Sequence, residues 1–475
     1  MQPSRPKGRR TCGERGIALL AVLVILLIVT ASSASFIWFM NQQQARAGLR
    51  YRSAAAMAVA EAGVHRALSI LEAAAPDGSG PGRTWRPASY METVQAGPFE
   101  GRFTLSLADD ADGAVVVTSA GEVAGVTRRL RARVYLASPA LLAALNGAGV
   151  VHLQKPPAAL VILPYGAGIG DRPWIHIAAG RGIEFATPDV SINNPSSSFE
   201  AGPGPVDAPG GADSPTMLKA PGPARLLLAR GADLTLGQER QRVDVQQLRV
   251  MGVYVGGVVL HTEALPALPQ VDRAYYQALA AANTGNRTLN EAAGQYAGNG
   301  DLARKQDSLY SRMDFEQVMA YVRAERVTAP WHGVIYVGGG LSLLDGQRLL
   351  VADGSLVTES TVYLGRGASL EVTHSAATRT LPGVIVLDNG ALVVTRQARL
   401  RIHGLVYVSR LFDIGQDARI DIVGAVLDND PDLSFRSFAA SAVIRYDPAV
   451  FGTPGLRVAS DTPVVAWVAA WEELP

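Results

Sequence analysis

Sulfur, charge and aromatic rings are all scarce in this 475-residue chain, which has one cysteine, Cys12, seven histidines, 18% charged and 7% aromatic residues. A lone thiol excludes an internal disulfide, a multi-thiolate zinc site and a Cys-x-x-Cys redox pair. No two histidines have the spacing of helical metal ligands, and His-Glu-x-x-His, Gly-x4-Gly-Lys-Ser/Thr and Gly-x-Ser-x-Gly are absent. None of these motifs points to a cofactor, and the chain is expected not to be an enzyme. With 48% apolar residues, 49 glycines and 28 prolines, the composition is that of a turn-rich folded chain rather than a disordered one.

What the chain does have is a 24-residue uncharged run, Ile17 to Met40. As a helix rising about 1.5 Å per residue it is long enough to cross a hydrocarbon core roughly 30 Å thick. Arg5, Lys7, Arg9, Arg10 and Arg15 precede it, against Glu14. Such cations beside an apolar segment stay cytoplasmic, so the rest of the chain is expected on the far side as a single-pass passenger. Without residues 1–16 the chain keeps 38 basic and 41 acidic residues, which turns a net charge of +1 into −3. That balance offers nucleic acid no general attraction. Processing has two readings. Ala31 to Ser35 imitates the small-residue site of a cleaved signal peptide, whereas Gly16 sits directly between the charged leader and the apolar run.

The second arrangement resembles the site at which prepilin peptidase cuts type IV pilins and pseudopilins. The resemblance implies a cut between Gly16 and Ile17, a retained helix in the inner membrane, a periplasmic passenger and later packing against other pilins in a filament. Helical character continues from Asn41 with Met57, Val64, Leu68 and Leu71 at helical intervals, and Pro76 to Gly82 should end it near Ala75. Ala60-Glu61-Ala62-Gly63, followed by Arg66-Ala67-Leu68, resembles the motif closing the N-terminal region of PilX-type minor pilins. Its small residues permit close backbone approach, and Glu61 can pair with His65 one turn on. Phe99 to Ala137 reads as three alternating strands of an antiparallel meander, and Thr118-Ser119-Ala120-Gly121 is similar to a PilX-type turn. One departure stands out: major pilins carry glutamate as the fifth mature residue, where this chain has Ala21. K-type minor pseudopilins are similar in this, which implies either a tip position or a relaxed requirement.

Beyond Leu141 a repeat takes over. Glycine-led apolar strands begin at Gly333, Gly354, Gly383, Gly404 and Gly424, at spacings of 21, 29, 21 and 20 residues. A period near 20 with short strands suits a parallel β-helix, with Asp353-Gly354 and Asn389-Gly390 turning corners. PilX-type proteins look similar here, ending in a segment like Tyr446-Asp447-Pro448. The expected fold is therefore α+β, mainly β: leader 1–16, long helix 17–76, meander 77–140, irregular solenoid strands with a Pro/Gly-rich loop 141–265, helical insertion 266–328, and regular β-helix with a C-terminal tail 329–475. Asp314 is the expected N-cap of the second inserted helix.

Candidate chemistry is sparse. Asp428, Asp430 and Asp432 alternate like weak calcium ligands but lack the EF-hand glycine and glutamate, and a solvated turn is the competing reading. Asp413, Asp417 and Asp421 raise the alternative of a carbohydrate-active β-helix. Two functions remain: a minor pilin or pseudopilin with prepilin peptidase, other pilins and the inner membrane as partners, or a membrane- or filament-borne adhesin binding a surface polysaccharide or a protein. Exposed Trp174 or Trp331 would favour the adhesin.

Overall fold

The computed structural model describes residues 14–73, 82–110, 113–154, 160–164, 175–185, 218–219, 224–236, 240–244, 246–247, 257–291, 308–323, 330–438, 441–458 and 464–474. It is mainly β, with one long apolar helix at the N-terminal end and few others. The helix α1 (Glu14–Glu72) runs unbroken for 59 residues, about 90 Å at the helical rise, and stops three residues short of Ala75. Most of Pro76 to Gly82 lies outside the described residues, as do residues 1–13.

Behind α1 lies an antiparallel sheet of five strands rather than three. Its first four are β1 (Tyr90–Ala96), β2 (Phe99–Asp109), β3 (Val115–Val123) and β4 (Val126–Ala137). The fifth is the C-terminal strand Val465–Leu474, which pairs antiparallel with β4 and carries Trp467 and Trp471 out of the repeat region into this sheet. Strict alternation puts Phe103, Leu105, Val117, Leu130, Ala132 and Val134 on the buried face. The turn between β3 and β4 is Ala124-Gly125, both at positive φ. Thr118 to Gly121, expected as a turn, lies inside β3.

The repeat region builds two long, mostly parallel sheets. One runs, edge to edge, Gly257–Thr262, Ala224–Ala229, Ile175–Ala179, β5 (Ala143–Gly147), Arg419–Asp428, Arg399–Val408, Ser369–Thr373, Arg348–Thr358, Trp331–Gly338 and Leu309–Ser311. The other holds Asp233–Leu236, Gly182–Phe185, β6 (Val150–Gln154), Leu433–Phe438, Phe412–Ile414, Leu392–Val394, Val362–Leu364 and Leu341–Leu343 in corresponding order. Between them run columns of like side chains. Val362, Leu392, Phe412, Phe435, Val151 and Ile183 stack in register, each at most 1% exposed. Each such burial contributes about 1.5–3 kcal/mol.

The order of strands departs from the expected one. The irregular strands do not precede the regular repeats in space but continue beyond the last of them, with Leu145 of β5 beside Val426 and Val150 of β6 beside Leu433. The chain thus enters at the middle, builds outward to Gly257–Thr262, crosses to the opposite extremity and returns to the seam. On the crossing, Gln270–Val271 pairs with Leu456–Arg457, and α2 (Arg273–Ala282), capped by Asp272, packs on the flank. Asn283 and Asn286 then hold the backbone around Gly333, donating to or accepting from His332 at 2.7–3.0 Å. At the far extremity α3 (Arg312–Arg323) buries Phe315, Val318 and Met319. Its first turn is capped by Ser311, whose Oγ accepts from the Asp314 amide at 3.4 Å, so Asp314 sits inside the helix rather than at its cap.

Candidate assembly helix and charged clusters

The two halves of α1 have opposite surroundings. From Leu20 to Met40 the large apolar side chains are exposed on every side, from Val24 at 48% to Leu27 at 68%. None of the described residues covers them, and the segment is long and apolar enough to cross a membrane. From Ala56 onward one stripe sinks into the five-stranded sheet: Ala56, Val59, Ala60, Val64, Ala67 and Leu71 are at most 1% exposed.

Small residues on both surfaces make that contact close. A Cβ on Gly63 would meet Ser119 Oγ at 2.3 Å, and one on Gly121 would meet the Ala56 carbonyl oxygen at 2.3 Å and the Ala60 nitrogen at 2.4 Å. Gly101 faces Val59 in the same way, at 2.6 Å. The small residues of Ala60 to Gly63 therefore seat the helix on the chain's own sheet. Glu61 points away into solvent, and among the described residues no ion pair joins it to His65, whose ring lies 6.3 Å from Trp471. The seat is tied at its rims. Arg66 pairs with Glu92 at 3.1 Å, Glu72 accepts from the Ala466 amide at 2.9 Å, and Arg128 spans Ser53 and Glu473 at 2.8 and 3.0 Å. Gly16 and Ile17 lie within the first turns of α1, and Ala21 is exposed among its apolar neighbours.

The acidic candidates separate into individual roles. Asp428 is fully buried and accepts from the amides of Phe412 at 2.8 Å and Asp430 at 3.0 Å; burial pushes its carboxyl well above the usual range, against the pull of those donors. Asp430 closes a turn by accepting from the Asp432 amide at 2.8 Å, and Asp432 pairs with Arg181 at 2.7 Å. Among the described residues no group of three or more His, Cys, Asp or Glu is placed to hold a metal. Asp413 is gripped by Arg436 at 2.5 and 2.9 Å, Asp417 lies 3.5 Å from Arg396, and Asp421 pairs with Arg445. The Asp413–Arg436 pair continues across the seam in register through His152, whose Nδ1 is 2.9 Å from Glu184. Burial, the largest influence, holds the His152 ring below its ordinary value. Trp331 is buried at 2% and Trp174 lies outside the described residues.

No family model and no curated protein matches the chain. Among solved structures, a competence-associated pilin, ComZ from Thermus thermophilus, is similar over 89% of this chain and 97% of that one, at 15% identity and a TM-score of 0.22. A superposition that loose carries no weight for fold or function.

Gly101 and Gly121 were the contacts hardest to foresee. A glycine inside an alternating strand signals close backbone approach as well as a turn, and only the position of α1 decides between the two.

Proposed function

We propose that this chain is a pilin-like filament subunit of the PilX-type kind, anchored in the inner membrane by α1, cut by prepilin peptidase between Gly16 and Ile17, and packed among other pilins through the helix it keeps. Its two parallel sheets are the faces of a β-helix that forms the head, and its role is structural rather than catalytic. The observation that carries this reading is the division of a single helix into an uncovered apolar half and a half seated on its own sheet. A signal peptide needs no such rigid continuity, whereas a subunit that exchanges lipid for neighbouring helices does. Ala21 in place of a carboxylate suits a tip position, where no further subunit must be registered above it.

The test is the N-terminal residue of the protein recovered from membranes and from sheared filaments. Ile17 in both fractions, with an intact leader and no filament incorporation in a Gly16→Asp variant, is the expected result. A wild-type chain that keeps its leader, or begins after Ser35, overturns the proposal.

A further inference from the structure

On the outer face of the longer parallel sheet, Arg348, Ser369, Arg399, Arg419 and Ser441 occupy one column in register. Strands about 4.8 Å apart place the three arginines within roughly 14 Å of each other, with Arg399 and Arg419 directly adjacent. All three are exposed, and among the described residues no ion pair or hydrogen bond engages their guanidinium groups. The acids nearby are already taken: Glu371 by Arg401 at 3.1 Å, Asp421 by Arg445 and Asp417 by Arg396 at 3.5 Å. Like charges directly opposite on paired strands are unfavourable. The column therefore has a standing demand for anions that the chain does not meet.

We propose that this column binds a linear polysaccharide of uronic acids laid along the stack of strands. The proposal is independent of the filament reading, since it concerns only the sheet surface. Guanidinium groups match carboxylates with paired hydrogen bonds. Ser369 and Ser441 in the same column, with Gln397 at the adjoining corner, supply partners for sugar hydroxyls. A nucleic acid fits less well: the strands bearing the column have no Phe, Tyr or Trp over residues 348–352, 369–373, 399–403, 419–423 and 441–445 on which bases could stack. A column that runs across successive strands suits an extended polymer rather than a small molecule.

The full chain in detergent is to be titrated with polygalacturonate, with the same polymer fully methyl-esterified, and with single-stranded DNA. Expected are salt-sensitive binding of polygalacturonate, little binding of the ester, and an affinity loss of about tenfold or more in the Arg399→Ser, Arg419→Ser double variant, the equivalent of one charge-assisted contact or more. The variant's thermal midpoint should be unchanged or higher, because the exposed like charges no longer repel. Equal binding of ester and acid, tighter binding of DNA, an unaffected double variant, or no binding of polygalacturonate would each overturn the proposal.

Discussion

Single residues decide the corners of the parallel sheets. Gly333, Gly404 and Gly424 have φ of 67°, 95° and 152°, and a Cβ on Gly424 would stand 2.0 Å from the Gly404 carbonyl oxygen. A Cβ on Gly354 would likewise stand 1.9 Å from the Gly333 carbonyl oxygen. Gly424→Ala is therefore expected to cost about 3 kcal/mol in chemical denaturation, because neither backbone can withdraw. Gly346→Ala, at positive φ but in open space, should cost only about 1 kcal/mol; equal losses would show that the stacking contact is irrelevant. These glycines were legible as a repeat because each marks the same corner. His176 was not legible as a special residue. Its Nδ1 accepts from the Arg225 amide at 2.9 Å and burial holds the ring at about 4, below its ordinary 6.5. The unfolded chain takes up a proton near 6.5 that the folded ring refuses, so this contribution is complete above that pH and is lost as pH falls toward 4. Urea titrations should show up to about 3 kcal/mol of that loss in the native chain, and His176→Gln should flatten it; parallel profiles would remove His176 as the cause.

At the scale of elements, the long helix was plain because an uncharged apolar run and an amphipathic stretch follow each other without proline. Its seat was not plain. Thr118 to Gly121 carries turn-forming residues, yet Ser119 and Gly121 are small because Gly63, Ala56 and Ala60 press against them. Ser311 took the capping position from Asp314 because a strand residue directly before the helix offers its hydroxyl to the first turn. The C-terminal strand is the least foreseeable element, since its register sets residues 465–474 against residues 129–137, far apart in sequence. Deleting residues 464–475 removes Val468 and Ala466 from the core under α1 and the Glu72 and Arg128 ties with them. We expect a loss of about 3 kcal/mol, with faster hydrogen exchange over residues 56–72. Unchanged exchange there would mean that the strand contributes nothing to seating the helix.

For the molecule as a whole, a mainly β chain with parallel pairing could be read from the glycine period and the short apolar strands it leads. The seam could not. Leu145 lies beside Val426, and no local pattern reports a partner so distant in sequence. Neither half of the stack is complete alone, since β5 and β6 would each present an open edge. Residues 1–262 expressed separately should aggregate or remain unfolded, and residues 263–475 supplied with them should restore soluble material, as judged by sedimentation and circular dichroism. A monomeric, cooperatively melting 1–262 fragment would show that the seam is dispensable.

The polypeptide joins the stacked sheets at their midpoint and leaves them there, with the outgoing strand lying against β4. Tension applied through α1 would therefore be shared by both halves at once, by one through β5 and by the other through the ladder between β4 and Val465–Leu474. The extremities at Gly257–Thr262 and Leu309–Ser311 bear none of that load. Strands added or removed at those ends would leave the mooring as it is.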